Sequence, residues 1–189
     1  MAEIPQLLEN AWKTFCEFNK KRYRYDKQPV CWKEKDVMGH LMRFLYEEFK
    51  NNKVNNLDIH LECSLTSNNF DNESCESFRN SLRKLQKQFG KHKGVEVDMA
   101  ISNGAALPFE LCLEAKHFHY PDWREPAEEL IIKDIERLKA YKNLKIAKSI
   151  AFAVLDDYFV YEEQDKSDLI EDILNKYKNE MQILYYHYP

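Results

Sequence analysis

The sequence predicts an α/β domain, a β-sheet with helices packed on its faces and an extra helix at the amino terminus. Three observations carry that expectation. From residue 35 onward, stretches of helical apolar spacing mix with stretches of two-residue alternation. Their order is helix, strand, basic helix, strand, strand, helix, strand, helix, strand. One strand, KSIAFAVLDDY, is apolar almost throughout, which suits the middle of a sheet covered on both faces. And 189 residues, 44% of them apolar, are enough chain for one hydrophobic core, so a single domain is expected.

The amino-terminal helix, IPQLLENAWKTFCEFNKKRYRY, repeats Leu7, Leu8, Ala11, Trp12, Phe15 and Phe18 at helical spacing. Pro29 breaks it from a second helix over about Lys35 to Lys50. There Val37, Met38, Leu41, Phe44, Leu45 and Phe49 form one stripe, and Asp36 sits where a carboxylate favours the helix dipole. NLDIHLECSLTS alternates as a half-buried strand does, with Leu57, Ile59, Leu61, Cys63 and Leu65 on one side. ESFRNSLRKLQKQFG is a helix with Phe78, Leu82, Leu85 and Phe89 inward, closed by Gly90. Two strands then flank Ser102, Asn103 and Gly104, which are good turn residues. A helix from about Pro126 buries Leu130, Ile131, Ile135, Leu138 and Tyr141, and after KSIAFAVLDDY come an acidic amphipathic helix and a last strand, MQILYYHY.

The net charge of −4 provides no general attraction to nucleic acid, so such a partner needs a local basic patch. Cys16, Cys31, Cys63, Cys75 and Cys112 lack the close pairs of a zinc or redox motif. An odd number of cysteines and no secretory signal point to reduced thiols and a cytoplasmic protein. No apolar run approaches membrane-spanning length, so no membrane partner is expected.

The charged residues of GVEVDMAISNGAALPFELCLEAKHF set the functional question. In FELCLEAK, strand alternation puts Phe109, Leu111 and Leu113 on one face and Glu110, Cys112, Glu114 and Lys116 on the other. In VEVDMAI, Glu96, Asp98 and Ala100 lie opposite Val95, Val97, Met99 and Ile101, so pairing of the two strands brings Asp98 to the Glu114 and Lys116 side. Two carboxylates and an ammonium so placed suit a divalent cation with oxygen ligands, Mg²⁺ or Mn²⁺. The ion would polarise a phosphoryl oxygen while the lysine positions a water or offsets charge on the phosphate. A cross-strand salt bridge on a solvated sheet face is the alternative.

This order of elements, with Asp98 on the second strand, fifteen residues, then Glu114, Ala115 and Lys116 on the third, resembles the PD-(D/E)xK nuclease superfamily over roughly residues 34–156. Val97 stands where the family name has proline. The resemblance implies a restriction-endonuclease-like core, a central mixed β-sheet flanked by helices. Residues 1–30 are then a helical extension and 157–189 a closing helix and strand. It also implies a metal-dependent nuclease, an endo- or exodeoxyribonuclease with DNA as its substrate. The metal ligands would be Asp98, Glu114 and the backbone carbonyl of Ala115, with Lys116 assisting the attacking water. Many members add a glutamate from the first core helix, here Glu34, with Glu47 or Glu48 as alternatives; Glu34 equally reads as a helix-dipole partner. A nuclease that cuts both strands of a duplex often acts as a symmetric homodimer.

Other residues have two readings each. Arg79, Arg83, Lys84 and Lys87, with Lys91 and Lys93, make the most basic stretch of the chain, either a phosphate-contacting surface or a solvated helix face. NKKRYRYDK, residues 19–27, interleaves cations with Tyr23 and Tyr25, as a single-strand grip or a polar helix end. His117 and His119 are phosphate contacts or incidental, Lys133, Asp134 and Arg137 substrate contacts or exposed salt bridges, and the YYHYP tail edge-strand packing or an oligomer contact. The rival to a nuclease is a noncatalytic module that binds nucleic acid or protein on the same fold.

Overall fold

The computed structural model describes residues 3–26, 30–64, 75–90, 96–104, 108–118, 127–156 and 164–187. Its elements, in chain order, are α1 (Ile4–Asp26), α2 (Glu34–Asn51), β1 (Asp58–Ser64), α3 (Cys75–Phe89), β2 (Glu96–Ser102), β3 (Phe109–Phe118), α4 (Ala127–Asn143), β4 (Ala147–Asp156), α5 (Gln164–Asn175) and β5 (Gln182–His187). The strands form one mixed sheet in the order β1-β2-β3-β4-β5. The chain makes two compact units interleaved in sequence. One contains Met1–Asn55, Ala115–Ile131 and Phe152–Pro189, the other Asn56–Glu114 and Ile132–Ala151, and β3 and β4 contribute residues to both.

In the first unit α1 and α2 pack through the stripes that their spacing sets. Leu7, Leu8, Ala11, Trp12 and Phe15 of α1, and Val37, Met38, Leu41, Phe44, Leu45 and Phe49 of α2, are all buried. Each such large apolar side chain contributes roughly 1.5–3 kcal/mol. The Phe15 and His40 rings stack at 5.9 Å, and Asn10 Nδ2 donates to Glu48 Oε2 at 3.3 Å. The start of α2 is fixed by Asp36, whose Oδ2 accepts the backbone N–H of Trp32 at 2.9 Å while its own N–H donates to the Lys33 carbonyl at 3.0 Å. Asp156, buried at the end of β4, accepts from His187 Nδ1 at 2.9 Å and from the Tyr185 hydroxyl at 3.3 Å near the end of β5. Strand ends meeting strand ends show that β4 and β5 run parallel.

In the second unit β1 pairs antiparallel with β2, from Asp58 opposite Ser102 to Ser64 opposite Glu96. β2 pairs antiparallel with β3, Met99 opposite Leu113 and Ile101 opposite Leu111. The Phe109 N–H bonds the Ile146 carbonyl at 2.8 Å, setting the start of β3 beside the start of β4 and making that pair parallel, with α4 as the crossover. Helix α3 ends at Gly90, whose φ of +93° favours a residue without Cβ and whose N–H closes on the Gln86 carbonyl at 3.0 Å.

One expectation needs correcting. The face of β3 that carries Cys112 and Glu114 is not a solvated sheet face: both side chains are fully buried. Helix α4 lies against it, and its Tyr141 hydroxyl donates to the Glu96 carbonyl at 2.9 Å.

Candidate active site

Asp98 and Glu114 meet because β2 and β3 are antiparallel. The register that pairs Met99 with Leu113, carried one residue further, sets Asp98 opposite Glu114, where Cβ atoms of cross-strand neighbours are about 4.5–5.5 Å apart. Glu114 is 0% exposed, Asp98 is half-buried, and their carboxyls are within hydrogen-bonding reach. Two ionised carboxylates offer each other only acceptors, so a shared proton or a cation is needed between them. Glu114 Oε1 is buried and receives no hydrogen bond among the described residues. Burial, and after it the Asp98 charge, push the Glu114 carboxyl well above the usual carboxylate range; Arg137 opposes the shift and Asp134 adds to it.

Arg137 closes the other side. Its Nη2 donates to Glu114 Oε2 and bonds Asp134 Oδ1 at 3.2 Å, with the arginine side chain only 12% exposed. Burial works against its charge, but the Glu114 and Asp134 carboxylates together hold the guanidinium protonated above its ordinary range. Asp98, Glu114, Asp134 and Arg137 thus form a cluster of three acids and one base. The sequence reads Asp134 and Arg137 as substrate contacts or exposed salt-bridge partners; Asp134 is buried and the Arg137 side chain is only 12% exposed, so the ion pairs of Arg137 with Glu114 and Asp134 are not exposed ones. The signal was present in the spacing. Residues 134, 137 and 141 fall on the same helical stripe as Ile131 and Leu138. Lys133 of the same helix is exposed.

In the first unit, Lys116 Nζ lies 3.1 Å from Glu34 Oε1, with the lysine side chain 14% exposed. Of the three glutamates on α2, Glu34 is therefore the one that meets Lys116. Glu47 pairs with Arg43 at 3.5 Å and Glu48 accepts from Asn10. Ala115, between Glu114 and Lys116 on β3, is fully buried. Arg79, Arg83, Lys84 and Lys87 are all exposed on α3, while Leu82 and Leu85 turn inward. His117 is buried. His119, Lys91, Lys93 and Pro126 lie outside the described residues, as do the side chains of residues 23–27 and the end of the YYHYP tail.

The donor chemistry suits a hard cation. Among the described residues no group of three or more His, Cys, Asp or Glu is arranged to hold a metal ion, so a cation here would rest on two carboxylates. Mg²⁺ commonly binds in that way, keeping waters and substrate oxygens for its other positions. Among the described residues no helix is long and apolar enough to cross a membrane. No family model, curated protein or solved structure matches the chain.

Proposed function

We propose that the chain is a Mg²⁺- or Mn²⁺-dependent nuclease of the restriction-endonuclease-like fold, hydrolysing phosphodiester bonds with DNA as the substrate. The observation that carries this reading is the Asp98–Glu114 pair, two acceptors brought together in a buried setting where a divalent cation would remove their repulsion. Asp98 and Glu114, with the backbone carbonyl of Ala115, would hold the ion. When bound, it supplies Lewis acidity at a phosphoryl oxygen and acidifies a coordinated water.

This chain's own groups do the rest. Arg137 occupies one oxygen of Glu114 and leaves the other for Asp98 and the cation. Lys116 orients the attacking water or offsets charge growing on the phosphate, and Glu34 keeps its ammonium in place. The exposed cations of α3 bind backbone phosphates and carry no base specificity. A cytoplasmic homodimer is the matching expectation for an enzyme that cuts duplex DNA.

One observation favours the rival, a noncatalytic binding module. Arg137 already supplies a positive charge to Glu114, as a purely structural ion cluster would. Incubation of plasmid and single-stranded DNA with Mg²⁺ separates the two. A nuclease cuts, and Asp98→Ala and Lys116→Ala each lose the activity. Binding without cutting by the wild-type protein would establish the rival.

A further inference from the structure

Asp156 and His187 pair at the ends of neighbouring strands. Asp156 closes β4 and is 0% exposed, while His187 closes β5 with its imidazole 35% exposed. Asp156 Oδ2 accepts from His187 Nδ1 at 2.9 Å and from the Tyr185 hydroxyl at 3.3 Å. A carboxylate so placed takes the proton on Nδ1, fixes how the ring is turned and leaves Nε2 for a partner outside. A contact that only stitched β5 to β4 would serve as well with the ring covered; here the ring meets solvent.

The sheet gives that nitrogen a setting. Strands β3, β4 and β5 are neighbours and parallel, so their carboxyl ends lie together at the end where open α/β sheets bind ligands. The bond from the Phe109 N–H to the Ile146 carbonyl and the Lys148–Glu110 ion pair set residue 110 beside residue 148. Carried along both strands, this register sets Lys116 beside Val154. Asp156 follows two residues further on the same face, its Cα roughly 8 Å from that of Lys116. Glu34, Lys116, Asp156 and His187 all belong to the first compact unit. The roles given to Lys116 and Arg137 supply no proton to a departing oxygen: Lys116 serves the attacking water, and the Arg137 guanidinium is held protonated.

We propose that His187 is a further catalytic residue, the general acid that protonates the leaving oxygen, with Asp156 as its positioning residue. The class of reaction rests on the nuclease reading; the residue is read from the Asp156–His187 geometry and its place beside Lys116. As the water oxygen bonds to phosphorus, the bond from phosphorus to the ester oxygen breaks, and that oxygen keeps the electron pair and takes the Nε2 proton. Imidazolium becomes imidazole while Asp156 stays ionised. The proton that the attacking water releases to solvent restores the imidazolium.

Two substrates with different departing groups separate this role from a structural one. A fluorescein-labelled single-stranded oligonucleotide releases a deoxyribose hydroxyl, which needs a proton; bis(p-nitrophenyl) phosphate releases p-nitrophenolate, which leaves without one. The variant is His187→Asn, whose amide can still donate to Asp156 but cannot act as an acid. With Mg²⁺ it should cut the oligonucleotide about 10²–10⁴-fold more slowly than wild type and hydrolyse the p-nitrophenyl ester nearly as fast. Asp156→Asn should show the same selectivity to a smaller degree. Imidazole in the buffer should restore oligonucleotide cutting to His187→Gly, whose fold the p-nitrophenyl ester reports. An equal loss on both substrates, no loss on either, or no rescue by imidazole would overturn the role of His187 and leave the nuclease standing. A wild-type chain that cuts neither substrate refutes the nuclease, and the task of His187 with it.

Discussion

Replacing Arg137 by methionine removes the positive charge that meets Glu114 and Asp134 and keeps most of the buried volume. Glu114 is 0% exposed and the arginine side chain 12%, so solvent cannot replace the lost partner. Glu114 and Asp134 both lose the guanidinium that they meet. Removing one partner of a buried pair costs roughly 3–5 kcal/mol, a sizeable part of the ~5–15 kcal/mol that holds a typical protein folded. At roughly 2–4 °C per kcal/mol for a chain of this size, the melting temperature should fall by about 6–20 °C. A proton can take over part of the missing charge, because Glu114 already has its carboxyl raised by burial and by Asp98. Such a group is held more tightly protonated in the folded chain than in the unfolded one. Its ionisation therefore costs stability as pH rises, and the variant's deficit should shrink from pH 8 to pH 5. Adding Glu114→Gln to Arg137→Met should recover much of the loss at pH 8. The assay is urea unfolding in EDTA at both pH values for wild type, the two single variants and the double variant. A deficit under about 1 kcal/mol, or one that neither acid nor Glu114→Gln relieves, would refute the buried cluster as described.

Three further outcomes follow from the same geometry. Mg²⁺ at a hundredfold its Kd should stabilise the wild-type chain by about 2.7 kcal/mol, a rise of roughly 5–10 °C in Tm, and Asp98→Asn should lose that rise in a thermal melt that needs no substrate. His40, stacked on Phe15, has its pKa lowered first by burial and then by Arg43, against a smaller opposing effect of Asp36. The unfolded chain therefore takes up this proton first, near pH 6.5, so stability is present above that pH and lost as pH falls through the folded value; His40→Gln should show a flatter decline between pH 7 and pH 5 in urea unfolding. Removing two exposed cations with Arg83→Ala and Lys87→Ala should weaken DNA binding alike for all sequences and flatten the plot of log K against log salt by about 1.4–1.8 in slope; an unchanged slope would take α3 out of the interface.

The sequence by itself determined the elements and the strand faces. Periods of 3.6 and 2 are written in consecutive side chains, so α1, α2 and the paired strands around Asn103 and Gly104 can be read locally, and Asp98 and Glu114 can be put on one side of that hairpin. Only the tertiary structure decided what those residues face. Glu34 and Lys116 are 82 residues apart, and nothing local distinguishes Glu34 from Glu47 or Glu48; the packing of α2 makes the choice. Arg137 is 23 residues from Glu114, and a charge on a helix reads as a surface charge until a neighbouring strand covers it. Whether a charged strand face is wet or dry depends on which helix lies over it, and that is settled by the shape and burial of the whole core, not by any single stretch of chain.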